Sequence, residues 1–233
     1  MRRRFFVEEV RNGHAQIEGD DARHLTRVLR VEEGQKYEIS DNRNVYLAEV
    51  ETARKEHVVF RTLEKMEARR EGPRLILCAA LIKFDHFEWM IEKATELGVS
   101  KIVPVQTIRA EHGLERAALK RIERWRKIAM ESSQQSRRDF LPEIEEPVKL
   151  SHVLRIDAAH RVVFDEEASE PVALPSQYES LAILIGPEGG WTDEERALFD
   201  SWTRASLGSL ILRAETAAIA ALAIAGSQWK RGC

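Results

Sequence analysis

One stretch constrains this chain more than any other: LAILIGPEGGWTDEE, residues 181–195. An apolar run passes straight into Gly186-Pro187-Glu188-Gly189-Gly190, and Thr192 and Glu195 then stand at capping-box spacing for the start of a helix. An unbroken apolar run is the pattern of a strand covered on both faces, as in a parallel sheet. Glycines without a Cβ let backbone groups approach a ligand closely, and in α/β sheets ligands sit at the carboxyl ends of the strands. The plainer alternative is an ordinary strand–turn–helix connection. The chain carries no GxxxxGK[ST], no GxGxxG and no GxSxG. A P-loop, a dinucleotide site and a hydrolase nucleophile elbow are therefore unsupported.

The same alternation fills the chain after Gly72-Pro73. LILCAAL, KIVPVQT and RVVF read as strands, and FEWMIEKATELG, LERAALKRIERWRKIAMESSQQ and TDEERALFDSW read as helices. SLGSLILRAETAAIAALAIAGSQWK reads as a short loop or strand leading into an Ala-rich helix. This order predicts an α/β domain with a mostly parallel sheet. Upstream, RFFV, KYEIS, YLAEV and HVVFRTLE are short strands broken by NG, EEG and DNRN. One helix fits DARHLTRVLR, with Asp20 or Asp21 as N-cap. Short strands with a single helix suggest a small barrel. The charged segment EARREGP marks the boundary, giving one unit over residues 1–70 and a second over 73–233.

The formal net charge of −3 excludes a chain that is basic throughout, so any nucleic-acid contact must rest on local positive charge. Two places offer it. Arg109 to Arg138 holds nine Lys/Arg against four acids. His24, Arg27 and Arg30 recur at three-residue spacing, which predicts one helical face with Leu25, Val28 and Leu29 turned inward. Each is either a phosphate-contacting ridge or a solvated face. Lys83, Glu88, Lys93 and Glu96 on the first helix of the second unit read as a solvated face. The two cysteines, Cys78 in an apolar run and Cys233 at the end, form neither a disulfide framework nor a metal spacing, as in a reducing cytoplasm. The N-terminus has no apolar stretch of signal-peptide length, and Ala217 to Ala225 is too short to span a bilayer. A soluble cytoplasmic protein, without metal and without a membrane partner, is expected.

LGSLILRAETAAIAAL is the second segment with chemistry in it. Leu207-Gly208 makes a bend, Leu210, Ile211 and Leu212 follow, and Arg213, Glu215 and Thr216 stand at the mouth of an almost wholly apolar helix. Such a helix is buried in a core or a subunit interface. Charges at its mouth either pair with each other, Arg213 to Glu215, or face a ligand.

Together these segments closely resemble the bacterial 16S ribosomal RNA uracil-N3 methyltransferase family, within the SPOUT superfamily of knotted methyltransferases. The resemblance rests on RFFV, RHLTRVLR, KATELGVSKIVPVQTIRA, QQSRR with LPEI, IGPEGGWTDEE, and LG followed by ILRAETAAIAAL, in family order along nearly the whole chain. It implies an N-terminal PUA-like β-barrel that helps bind RNA and a C-terminal α/β domain tied in a trefoil knot, a rare exception to ordinary chain paths. It implies S-adenosylmethionine bound between two loops, formed here by Ile185, Gly186, Pro187, Glu188, Gly189 and Gly190 and by Leu207, Gly208, Leu210, Ile211 and Leu212. It also implies a homodimer and a uridine of 16S rRNA, or of the small ribosomal subunit, as target. RNA contacts are expected from Arg2, Arg4, His24, Arg27, Arg30 and Arg137. Methylating uracil N3 needs a proton acceptor and a cation near the ring oxygens. Arg213 is the expected cation, and Glu188 or Glu215 takes the proton or orients a water. Two departures from the family pattern are Ser209-Leu210, where members often have Pro-Arg, and DNRN in place of a DG-type turn. The competing readings are a SPOUT enzyme with another RNA target and a non-catalytic RNA-binding factor on the same fold.

Overall fold

The computed structural model describes residues 3–68 and 72–229. The chain divides into two compact units, residues 1–71 with 133–141, and 72–132 with 142–233. The return of 133–141 to the first unit is absent from the single boundary expected at Gly72-Pro73. Arg2 and Cys233 lie outside the described residues.

The first unit contains β1 (Arg4–Phe6), β2 (His14–Glu18), α1 (Gly19–Arg27), β3 (Lys36–Ser40), β4 (Val45–Arg54) and β5 (His57–Met66). Its sheet runs β1-β3-β4-β5-β2, with β1 parallel to β3 and the other pairs antiparallel. Alternate residues of the strands, with Ala22 and Leu25 of α1, bury one core around Phe5, Ile39, Val50 and Phe60. The N-cap of α1 is Glu18, not Asp20 or Asp21; both aspartates lie in the first turn and His24 and Arg27 in the last, the arrangement that suits the helix dipole. The helix stops at Arg27. Arg30 therefore lies beyond it, in the left-handed region at φ 53°, and Val28 is 64% exposed rather than inward. His24, Arg27 and Arg30 are exposed, but they do not form one helical ridge.

Arg4 is a correction to the expected RNA contacts. It is 2% exposed, and its guanidinium binds Asp139 and Glu38 and donates to the Arg137 carbonyl. A buried arginine that already has two carboxylates and a carbonyl has no fork left for phosphate. The same contacts explain why 133–141 belongs to this unit. The Ser40 hydroxyl donates to the Asp139 carbonyl, and the Asn42 side chain in the DNRN turn accepts from the Leu141 N–H at 2.6 Å.

The second unit contains β6 (Arg74–Ala80), α2 (Phe84–Glu96), β7 (Lys101–Gln106), α3 (Leu114–Leu119), α4 (Ile122–Ser136, whose last turn counts with the first unit), β8 (Glu143–Ile144), β9 (Val148–Lys149), α5 (Leu150–Val153), β10 (His160–Phe164), β11 (Ser180–Ile185), α6 (Asp193–Arg196), β12 (Thr203–Ala205) and α7 (Ala214–Gln228). The sheet order is β12-β10-β11-β6-β7-β8, with β9 also on β7, and every pair is parallel. Along β6, Leu75, Leu77 and Ala79 face the core that holds α2 and α7, whereas Ile76 and Cys78 face the one that holds Trp191, Phe199 and Trp202. Both sides of the strand are covered, which is why its sequence shows no alternation. Burial pushes the Cys78 thiol up, so it is inert. The helix expected from Leu114 onward is broken at Lys120-Arg121. Among the described residues, no helix is long and apolar enough to cross a membrane.

The basic stripe from Arg109 to Arg138 is largely matched by partners. Arg124 and Arg121 bind Glu88, Arg126 binds Glu123, Arg109 holds a loop, and Arg138 is buried. Glu88, expected on a solvated face, is thus a nearly buried anchor for two arginines of the next helices.

Candidate active site

Parallel pairing puts the carboxyl ends of β12, β10, β11 and β6 side by side on one edge of the sheet. The strand order reverses between β11 and β6, so the crevice at that edge is the place where α/β sheets bind ligands. From β11 issues the loop Gly186–Gly190, and from β12 the loop that runs to Arg213. Both line one cavity: Ile185, Gly186, Pro187, Glu188 and Gly190 from the first, and Leu207, Gly208, Leu210, Ile211 and Leu212 from the second, joined by Ser209, by Phe164 at the end of β10 and by Asp165 and Glu166 after it. Gly189 is the one expected cofactor residue outside the lining; its carbonyl accepts from the Arg109 guanidinium at 2.7 Å.

The first loop is held from three sides. Trp191, 1% exposed, donates from Nε1 to the Phe164 carbonyl at 2.9 Å and packs against Gly186. A Cβ on Gly186 would sit 2.9 Å from Trp191 Cε2, so only glycine lets ring and backbone meet. Thr192 caps α6 in a complete capping box with Glu195. Glu195, 2% exposed, uses one oxygen for Thr192 N–H and the other for Ile108 N–H. Arg109 closes the third side through the carbonyls of Gly189 and Trp191. The helix expected from Thr192 is short, ending at Arg196.

The second loop is different in kind. Gly208 has φ 129°, a backbone that side chains rarely adopt, and Leu210 and Ile211 are 79% and 83% exposed at the cavity mouth. Two large apolar side chains held clear of any core are suited to covering a flat apolar ligand. Glycine backbone on one wall, uncovered aliphatic side chains on the other and a carboxylate at Glu188 fit a purine-bearing cofactor with a positive centre.

Asp165, in the cavity wall, is an ion-pair hub. Burial raises its pKa, but Arg196, the Glu167 backbone N–H and Arg204 outweigh it and hold the carboxyl below the usual range. Arg196 Nε lies 3.1 Å and Arg204 Nη2 2.7 Å from its oxygens. A carboxyl with a depressed folded pKa stabilises above its unfolded pKa, and that contribution is lost as pH falls through the folded value. Asp165→Asn should therefore lower stability by about 3 kcal/mol at neutral pH, as expected when one member of a buried pair is removed. In urea titrations the gap between variant and parent should close below about pH 4.

The catalytic candidates are distributed unevenly. Glu188 lines the cavity and is half-exposed; Arg213 and Glu215 do not line it, although their neighbours Leu212 and Ala214 do. Arg213 is the N-cap of α7, exposed, and among the described residues it has no ion pair with Glu215. Glu215 is 8% exposed and turns instead to His86, a residue the sequence motifs did not mark. His86 Nδ1 lies 3.5 Å from Glu215 and 3.8 Å from Glu188. One ligand atom from each of the three lies within 4.8 Å of the others, donors that suit a divalent cation or a proton relay.

Comparison with known proteins agrees with this geometry. The family profile described as RNA methyltransferase domain matches residues 70–226, and the one described as RNA methyltransferase PUA domain matches residues 17–63. An RNA methyltransferase is therefore the class that the fold and cavity define. Ribosomal RNA small subunit methyltransferase E of Bacillus subtilis is 33% identical over 223 residues, covering 88% of this chain and 87% of the relative. The chain belongs to the ribosomal RNA small subunit methyltransferase E family. A Legionella pneumophila methyltransferase, solved with the cofactor SAM bound, superposes with TM-score 0.88 at 27% identity over 97% of this chain and 98% of that one. The Neisseria gonorrhoeae family member bound to S-adenosyl methionine gives 0.85 at 25% identity, with 98% of each chain covered.

Proposed function

We propose that the chain transfers a methyl group from S-adenosylmethionine to N3 of a uridine in 16S rRNA of the small ribosomal subunit. The observation that carries this is the meeting of the Gly186–Gly190 and Leu207–Leu212 loops around one cavity. Related chains of the same fold were solved with this cofactor. When bound, the cofactor supplies a methyl group on a positively charged sulfur. The protein's own part is alignment, which can contribute about 7–11 kcal/mol in the best cases. The glycine backbone of the first loop and Leu210, Ile211 and Leu212 of the second hold the cofactor. Glu188 reaches into the cavity and accepts the N3 proton. Arg213, exposed beside it, stabilises the charge left on the uracil oxygens. The uridine is unstacked from its neighbours to enter.

The two units divide the work: residues 1–70 form the RNA-binding unit and 73–233 the catalytic one, with 133–141 serving the former. His24, Arg27, Arg30 and Arg137 carry the RNA contacts of the first unit. Register shifts in the β4–β5 pairing, one with its extra residue on each strand, support closure of its sheet into a PUA-like barrel. A trefoil knot of the SPOUT type in the second unit accords with α7, which leaves the edge strand β12 yet packs on β6, β11 and α2. α7 has no polar face, and Ile219 and Ile224 remain partly exposed on it. That pattern supports a homodimer, acting in the cytoplasm.

The test is methyl transfer from labelled S-adenosylmethionine. Small subunits stripped of the modification should be labelled, and tRNA and large subunits should not. Labelling of tRNA instead would move the target to another RNA. No labelling of any RNA, with the cofactor bound, would leave a non-catalytic RNA-binding factor.

A further inference from the structure

His86 lies in the first turn of α2, immediately beyond the carboxyl end of β6, and shares that edge of the sheet with the loop after β11. Three carboxylates surround its ring. Asp85 of its own helix lies 3.7 Å from Nε2, and Glu188 of the loop and Glu215 of α7 face Nδ1. Among the described residues no other carboxylate stands within 4 Å of its ring nitrogens. Two atoms at the centre of this cluster are buried and without hydrogen-bond partners: His86 Nδ1 and Glu215 Oε2. Leaving a buried carboxylate oxygen and a buried imidazole nitrogen unmatched costs free energy, and such costs persist at sites that handle a ligand or a proton. The position adds to this. Glu188 lines the cavity and His86 stands directly behind it.

We infer that His86 is the relay that takes the uridine proton from Glu188 and passes it out of the site, with Glu215 stabilising the imidazolium that forms when Nδ1 is protonated. This rests on the proposed methyl transfer and names where the proton goes after Glu188. The N3–H bond breaks and its proton moves to the Glu188 carboxylate, leaving the electron pair on N3. That pair forms the N3–CH3 bond as the methyl–sulfur bond breaks and sulfur keeps its electrons as a neutral thioether. Glu188 hands the proton to His86 Nδ1, and Nε2 releases one toward Asp85, which is 77% exposed, and so to water. A carboxylate alone is a poor final acceptor near neutral pH, since its ordinary pKa is about 4.3 against about 6.5 for an imidazole. His86 acts through Glu188 and is thus a positioning residue.

The experiment compares single-turnover methylation of unmodified small subunits by the wild type, His86→Ala and His86→Asn between pH 5.5 and 9. Both variants should bind S-adenosylhomocysteine as the wild type does. They should methylate roughly a hundredfold more slowly near neutrality, the lower end of what positioned proton transfer contributes. Their rates should climb as pH rises, converging on the wild type, and added imidazole should restore part of the His86→Ala rate. Equal rates and equal pH profiles in a fully active wild type overturn the relay alone. A wild type that labels no RNA overturns the methyl-transfer reading and the relay with it. Wild-type activity abolished by EDTA and restored by Mn2+ or Zn2+, with binding of that ion lost in His86→Ala, also overturns the relay and makes the cluster a cation site.

Discussion

Gly186→Ala is expected to weaken cofactor binding about tenfold to a hundredfold in a chain that still folds. The new methyl would lie 2.9 Å from Trp191 Cε2 and 3.1 Å from its Nε1. Trp191 cannot step aside without losing its hydrogen bond to the Phe164 carbonyl and its edge-on contact with Phe199 at 5.0 Å. Alternatively the loop moves, and the cavity wall moves with it. Overpacking of this kind costs about 1–3 kcal/mol. If that cost falls on the bound geometry, affinity drops about tenfold to a hundredfold. Calorimetric titration with S-adenosylhomocysteine measures it. Gly226→Ala is the matching control, because nothing lies within 4 Å of a Cβ there and the residue sits in the helix α7. It should bind like the wild type. Unimpaired binding by Gly186→Ala would mean that the first loop does not hold the cofactor.

Arg213→Ala should do the opposite, sparing binding while reducing turnover. The side chain is exposed at the N-cap of α7, gives no capping bond and forms no ion pair among the described residues, so its removal disturbs little of the fold. Stabilisation of a developing anion by one positioned donor is worth about a hundredfold to a thousandfold in rate. Single-turnover rates at saturating cofactor should fall by that factor, with the affinity for S-adenosylhomocysteine kept within about threefold, below 1 kcal/mol. Lysine should recover part of the rate, because it restores charge but not the planar fork. Loss of cofactor affinity on the same scale as the rate would assign Arg213 to the loop rather than to the uracil.

The sequence carried the architecture of the second unit well, because its signals are local. β6 and β11 are buried on both faces and therefore unbroken apolar runs, and the Thr192–Glu195 box sits entirely within four residues. The cavity lining was legible for the same reason, being two short glycine-bearing segments. What was not legible depends on partners far along the chain. Arg4 beside Phe5 reads as a surface arginine, yet its carboxylates come from 34 and 135 residues away. His86 reads as one more polar residue at a helix start, and only the adjacency of β6 to β11 carries it to Glu188. Trp191 and Arg109, which hold the first loop, could have been suspected from an indole directly after the glycines and an arginine just past a strand. Neither has a spacing rule to mark it. The break at Lys120-Arg121 falls between good helix formers, without a glycine or proline to announce it.

Methyl transfer to uracil N3 is tested most directly by where the methyl group goes. Unmodified small ribosomal subunits are incubated with the protein and labelled S-adenosylmethionine, the rRNA is digested to nucleosides, and the labelled product is identified by mass spectrometry. The label is predicted in 3-methyluridine alone, from a single position in 16S rRNA. Label in a ribose-methylated nucleoside, in another base, or in no nucleoside while the cofactor is bound would contradict it.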